Sequence, residues 1–99
     1  MQFKMPLLAV KSVEASKKFY CDLFEQTVDM DFGWNVTFSG GFCIQENFAW
    51  LIGIEPESIV EQSNNMELYF EVDDFDDFIS RLQKYDGIQY VHPPKKHDH

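Results

Sequence analysis

The feature that most constrains this chain is a pattern it states twice. An apolar strand, a short polar turn and an amphipathic helix run through "MPLLAVKSVEASKKFYCDLF" from Met5, and again through "MELYFEVDDFDDFISRLQKY" from Met66. In the second copy Met66, Leu68, Phe70 and Val72 alternate with Glu67, Tyr69 and Glu71, the period of a half-buried strand. Asp73 and Asp74 suit a helix start, where an acceptor side chain and negative charge are both favourable. Phe75, Phe78, Ile79, Leu82 and Tyr85 then recur at helical spacing, and Asp86-Gly87 stops the helix. "IQYVH" reads as one more strand, ended by Pro93-Pro94.

The first copy runs the same way. "QFKMPLLAV" is strand-like, with Pro6 suggesting an edge position or a local irregularity, because proline cannot donate to a ladder. Ser12 is placed as an N-cap, and Val13, Ser16, Tyr20 and Leu23 form a helix face that also takes in Phe19 and Phe24. "TVDMDF", "NVTFS" and "FCIQE" follow as three short strands, separated by Gly33-Trp34 and Gly40-Gly41. Setting Val10 on Val72 brings Val13, Ser16, Tyr20 and Leu23 onto Phe75, Phe78, Leu82 and Tyr85, so the helix faces coincide. The first unit is β-α-β-β-β; the second is β-α-β, after which the chain stops.

These units predict one domain over residues 1–99, with a complete module at 1–54, a polar linker "EPESIVEQSNN" at 55–65 and a partial module at 66–99. Such a length buries only about 60–65% of the surface that the unfolded chain exposes, so the core is limited. Hydrophobic residues at 44%, ten of them Phe, still place the chain among folding rather than disordered sequences. The net charge of −9 repels phosphate backbones and anionic lipids, which argues against nucleic acid or a membrane as partner. No apolar run approaches the ~18 residues of a membrane span, and the N-terminus lacks the h-region of a signal peptide. Cys21 and Cys43 make no disulfide framework, and a reduced, cytoplasmic protein is expected.

The run "LLAVKSVEASKKFYCDLF", with Ser16, Phe19, Tyr20, Leu23 and Phe24 in a Ser-x-x-Phe-Tyr and Leu-Phe arrangement, resembles the opening module of the vicinal oxygen chelate superfamily. That group holds glyoxalase I, bleomycin-resistance proteins and extradiol dioxygenases. "FEVDDFDDFISRL" resembles the strand-to-helix junction of its second module. The resemblance implies an α+β fold of paired β-α-β-β-β modules, here with the second incomplete. In such folds each sheet curls round a cleft with helices outside, and the modules come from one chain or from a homodimer.

Alternation along the strands selects the side chains that face such a cleft. With Leu8 and Val10 packed on the helix, Met5, Leu7 and Ala9 look inward; with Phe42 and Ile44 in the core, Cys43 and Gln45 look inward. With Leu68, Phe70 and Val72 against the second helix, Glu67, Tyr69 and Glu71 look inward. The segment "NFAWLIGI", read as a loop joining the modules, adds Trp50 as an aromatic wall. The candidate cleft is therefore Met5, Leu7, Cys43, Gln45, Trp50, Glu67, Tyr69 and Glu71. Trp34 and Phe48 supply further aromatic surface, and core packing or a dimer contact would explain the "NFAWLIGI" segment, Trp50 included, equally well.

The resemblance also implies where a divalent metal would sit in the metal-dependent members: a His or Gln early in each module's first strand and a Glu on each last strand. By position the first pair falls on Met5 and Glu67. The first module's Glu falls on Cys43 or Gln45, or on Glu46 if the register slips by one, and the second module's Glu has no counterpart. Met5 is a poor ligand for hard divalent ions. Cys43 reads as a small buried residue rather than a nucleophile, since no histidine is placed to activate it. Glu67 and Glu71 share one strand face and suit general acid–base work only if desolvation raises one pKa; a solvated sheet face is the plainer reading. His92, His97 and His99 in "HPPKKHDH" have Pro-Pro and Lys-Lys between them and so no compact ligand geometry.

The expectation is thus a small-organic-molecule binding protein of the bleomycin-resistance kind, without a cofactor, working as a homodimer. The alternatives are a metal-dependent glyoxalase-like lyase or dioxygenase completed by a partner chain or further sequence, and an inactive fragment.

Overall fold

A computed structural model describes residues 1–94 and divides the chain into two compact units, Met1–Leu68 and one beginning at Tyr69. Within the first unit the order is β1 (Leu7–Ala9), α1 (Val13–Phe24), β2 (Val28–Asp31), β3 (Asn35–Phe38), β4 (Phe42–Gln45), α2 (Phe48–Ile52) and a single 3₁₀ turn (Pro56–Ser58). The four strands form one sheet in the order β1-β4-β3-β2, with β1 parallel to β4 and the other pairs antiparallel. This is the β-α-β-β-β module expected from the sequence, and the chain is an α+β protein.

Local chemistry explains why each element begins and ends where it does. The Ser12 hydroxyl accepts from the Ala15 N–H at 3.1 Å, and so opens α1. Glu25 closes α1 in the left-handed region at φ 56°, which returns backbone donors to the Tyr20 carbonyl. Pro6 stands just before the edge strand β1, where its missing N–H costs nothing, and its carbonyl accepts from the Cys43 N–H at 3.1 Å. Gly41 turns β3 into β4 at φ 92°, a backbone state that side chains resist.

The core lies between α1 and the middle of the sheet. Register pairs Val36 with Ile44 and Phe38 with Phe42, and these four are buried on the face that α1 covers, together with Leu23. Tyr20 reaches down from α1 to place its ring 5.6 Å from Phe38 and 5.1 Å from Phe42, both within the range where aromatic pairs attract. Burial there pushes the Tyr20 phenol pKa up.

Two expectations need correction. "NFAWLIGI" is not a loop: Phe48–Ile52 forms the short helix α2, capped by Gly53 at φ 76°, whose N–H reaches the carbonyls of Ala49 and Trp50. Met66–Val72 and Ile88–His92 do not form strands. A strand exists through its neighbour, and among the described residues neither segment enters a ladder. Alternation survives in part, with Leu68 and Phe70 half-buried and Glu67, Tyr69 and Glu71 exposed, but Met66 and Val72 are exposed too. A periodic sequence assigns a face; it does not supply the partner.

In the second unit the expected helix is present as α3, Phe75–Gln83. Asp74 caps it by accepting from the Asp77 N–H at 3.0 Å, and Arg81 pairs with Asp77 one turn away while lying over the Phe78 ring. Its apolar stripe, Phe75, Phe78, Ile79 and Leu82, is half-buried. No helix among the described residues is long and apolar enough to cross a membrane.

Candidate functional site

Register divides the side chains of the sheet in the first unit between two faces. Leu7 pairs with Cys43, Ala9 with Gln45, Cys43 with Thr37 and Gln45 with Asn35, so these six residues share the face turned away from α1. Three of the proposed cleft residues, Leu7, Cys43 and Gln45, are therefore brought together on one surface. Met5, half-buried, lies two residues before Leu7 of β1 and so has the same parity. Across the bulge in β2, Met30 pairs with Thr37 and extends the same face, while Asp31 pairs with Val36 and points to the α1 side.

The polar centre of this face is an amide pair. Asn35 Nδ2 donates to Gln45 Oε1 at 2.8 Å, and Gln45 Nε2 donates to the Glu46 carbonyl at 2.7 Å. Gln45 is only 8% exposed, so its polar atoms need these partners. Cys43 is buried beside it and its thiol donates to the Pro6 carbonyl at 3.7 Å. Sequence reasoning named Gln45 but not Asn35, although Asn35 and Thr37 are the polar positions of "NVTFS" and share its parity.

Glu46 has a different occupation. Its carboxylate Oε1 accepts from the Val13 N–H at 2.9 Å, across 33 residues of chain, at the first turn of α1. Parity already sends Glu46 to the α1 side; the hydrogen bond ties the end of β4 to the start of the helix. The helix N-terminus carries unpaired donors and partial positive charge, so a carboxylate is well placed there. No local pattern announces this pairing.

On the α1 side a surface groove of about 430 Å³ runs beside the helix, its lining including Glu14, Lys17, Cys21, Asp31 and Gly33. Lys17 and Asp31 pair across it at 2.7 Å. That hydrogen bond raises the Lys17 pKa; the same bond, with the Gly33 N–H, holds the Asp31 carboxyl below its usual range. The Lys17 and Asp31 charges answer each other. It lies on the opposite face from Leu7, Cys43 and Gln45.

Of the remaining expected residues, Trp50 stands on α2, mostly exposed, with its ring stacked on that of Trp34. Glu67 belongs to the first unit and is exposed; Tyr69 and Glu71 belong to the second and are exposed. None of these three lies on a strand, which corrects the sheet wall expected of them. Of the histidines, His92 is exposed, and His97 and His99 lie outside the described residues.

Among the described residues, the strand positions that the resemblance assigns to a divalent metal do not fit one. Met5 offers a thioether, Cys43 and Gln45 are committed to Pro6, Asn35 and Glu46, and the Glu46 carboxylate is spent on the helix. Among the described residues no three His, Cys, Asp or Glu side chains are grouped to hold a metal ion.

The chain matches the glyoxalase-like domain family over residues 3–99. A solved structure from Agrobacterium tumefaciens str. C58, a protein of unknown function, is similar at 30% sequence identity and a TM-score of 0.75, over 98% of this chain and 77% of that one. No curated protein matches.

Proposed function

The chain belongs to the glyoxalase-like domain family, and from that footing we propose that it binds a small organic molecule on the sheet face turned away from α1, without a metal. The observation that carries this reading is the linked amide pair Asn35–Gln45, set on that face among Leu7, Cys43 and Met30. A mostly apolar surface with a few fixed polar groups is the usual composition of a small-molecule site: the apolar part supplies affinity, and Asn35, half-buried and held in place by Gln45, orients the ligand. The family's metal-dependent reading asks for carboxylate and imidazole ligands where this chain has Met5, Cys43 and Gln45, and the nearby Glu46 carboxylate serves α1 instead. Binding is what this donor set supports.

The test has two readouts. Thermal shift against a panel of small organic molecules, with and without a chelator, should yield a ligand whose effect survives chelation. Leu7→Trp, at a part-exposed edge position, should block that ligand and leave the melting temperature of the free protein near wild type. Elemental analysis after dialysis should find well under one divalent ion per chain. A stoichiometric ion that survives dialysis and is lost on Glu67→Ala would overturn the metal-free reading; so would ligand binding that needs the ion.

A further inference from the structure

Trp34 and Trp50 are the only tryptophans in the chain, and they meet. Their rings lie 6.1 Å apart at 10° from parallel, although one stands at the β2–β3 turn and the other on α2. Both remain largely in solvent, 53% and 75% exposed. A tryptophan pair that packed for stability would hide its faces, since indole brings more apolar area than any other side chain. This pair leaves more than half of each residue in solvent.

The backbone under both rings is held. The Trp34 carbonyl accepts from the Glu46 N–H at 2.8 Å, and the Trp50 carbonyl accepts from the Gly53 N–H at the end of α2. Two near-parallel indoles on fixed supports make a flat, stepped apolar surface before anything binds. Preorganisation of this kind spares a ligand the entropy of ordering its site.

Charge decides what kind of ligand that surface favours. The face of an indole ring is the negative end of its quadrupole and attracts cations, more so than Tyr or Phe. The surrounding field has the same sign: Met1–Leu68 carries four lysines against ten Asp and Glu, a net of −6. Three of those lysines, Lys11, Lys17 and Lys18, are already paired with Glu61, Asp31 and Asp22. We propose that Trp34 and Trp50 form the binding platform for a flat organic cation, a quaternised heteroaromatic being the simplest case. The platform stands on different residues from the sheet face of the preceding section and does not depend on it.

Because both tryptophans are in the pair, tryptophan fluorescence reports on this site alone. Three probes of one size separate the contributions: 1-methylquinolinium, neutral quinoline and anionic naphthalene-2-sulfonate, titrated at low ionic strength and checked by calorimetry. The cation should quench saturably and bind at least tenfold more tightly than either other probe, with affinity falling as salt rises. Trp50→Ala should weaken it tenfold or more and Trp50→Phe less, with far-UV circular dichroism unchanged in both. Trp50 is exposed enough that its loss should not unfold the protein, and Trp34→Ala provides the second variant. Linear quenching without saturation, equal affinity for all three probes, or undiminished binding by Trp50→Ala would each overturn the proposal. So would wild-type tryptophan emission that acrylamide cannot reach, which would mean another protein chain covers the pair.

Discussion

Replacing Glu46 by alanine separates a structural carboxylate from a ligand-holding one. In the structure this side chain accepts the Val13 N–H at 2.9 Å, and Val13 is buried, so water does not readily take over as acceptor. A hydrogen bond to a charged group contributes about 1.5–3 kcal/mol, and stranding a buried donor costs about 1–3 kcal/mol, two views of the same loss rather than two losses. The charge at the N-terminus of α1 adds about 0.3–1 kcal/mol. Glu46→Ala should therefore destabilise by about 2–3 kcal/mol. For a domain of this size that is a fall in melting temperature of about 8–24 °C. Glu46→Gln keeps an acceptor and loses the charge, and should cost about 0.5–1 kcal/mol. Ser12→Ala removes the local cap of the same helix and should cost about 1 kcal/mol. Urea denaturation followed by circular dichroism measures all three. The reasoning fails if Glu46→Ala and Glu46→Gln both remain within about 0.3 kcal/mol of wild type, or if the chief effect of Glu46→Ala is to release a bound ion.

Other outcomes follow from burial, charge and the open sheet. Ile44→Ala, in the fully buried centre of β4, should cost about 2–5 kcal/mol, whereas Leu7→Ala on the part-exposed face should cost about 1 kcal/mol. Leu68→Ala and Phe70→Ala should each cost about 1–2 kcal/mol, less than core truncations because both are half-buried, and Glu67→Ala and Glu71→Ala should stay within about 0.5 kcal/mol of wild type. The Asp31 carboxyl, lowered first by the Lys17 hydrogen bond, supports the fold above its ordinary pKa of 3.8 and loses that support as pH falls through the lowered value. Lys17, raised by the same bond, supports the fold below 10.5 and loses that support as pH rises through the higher value, so Asp31→Asn should flatten both limbs of a stability–pH profile. We also propose a twofold dimer, since β1 and β2 are open edges of the sheet; melting temperature should then fall on dilution, and concentration-independent melting of a sedimenting monomer would rule the dimer out.

The first module was legible in the sequence because each of its signals is local and each strand finds its partner nearby. Ser12 caps, Gly41 turns and Pro6 marks an edge, each through the chemistry of its own backbone. Alternation in "NVTFS" and "FCIQE" then agrees with the register that joins them. Where a signal was silent, the reason is equally physical. Glu25 ends α1 in a left-handed state that its side chain does not advertise. Helix α2 spans five residues, too few for helical spacing to show, and the side chain of its N-cap Asn47 makes no capping hydrogen bond. Met66–Val72 has a better period than either β1 or β2, yet β1 pairs with β4 and β2 with β3 while it enters no ladder among the described residues. Period measures the tendency to have two faces, whereas a ladder needs a second chain segment at 4.8 Å, roughly the interstrand spacing.

The same distinction governs the candidate site. Parity alone separated Gln45 from Ile44 and put Leu7, Cys43 and Gln45 on one face, as the pairing of β1, β4 and β3 has them. It also decided the question left open about Glu46, one residue further on: odd and even positions of β4 point to opposite sides, so no small adjustment carries the Glu46 carboxylate over to Gln45. Sequence could not say what Glu46 does on its own side, because the Val13 N–H is 33 residues away and any acceptor of the right length would serve. Once that hydrogen bond is formed, the carboxylate nearest to the family's ligand position is held on the α1 side of the sheet. A metal centre on the other face would have to break a helix cap to recruit it. An organic ligand on that face has no such demand, since Asn35 is already there and already oriented by Gln45.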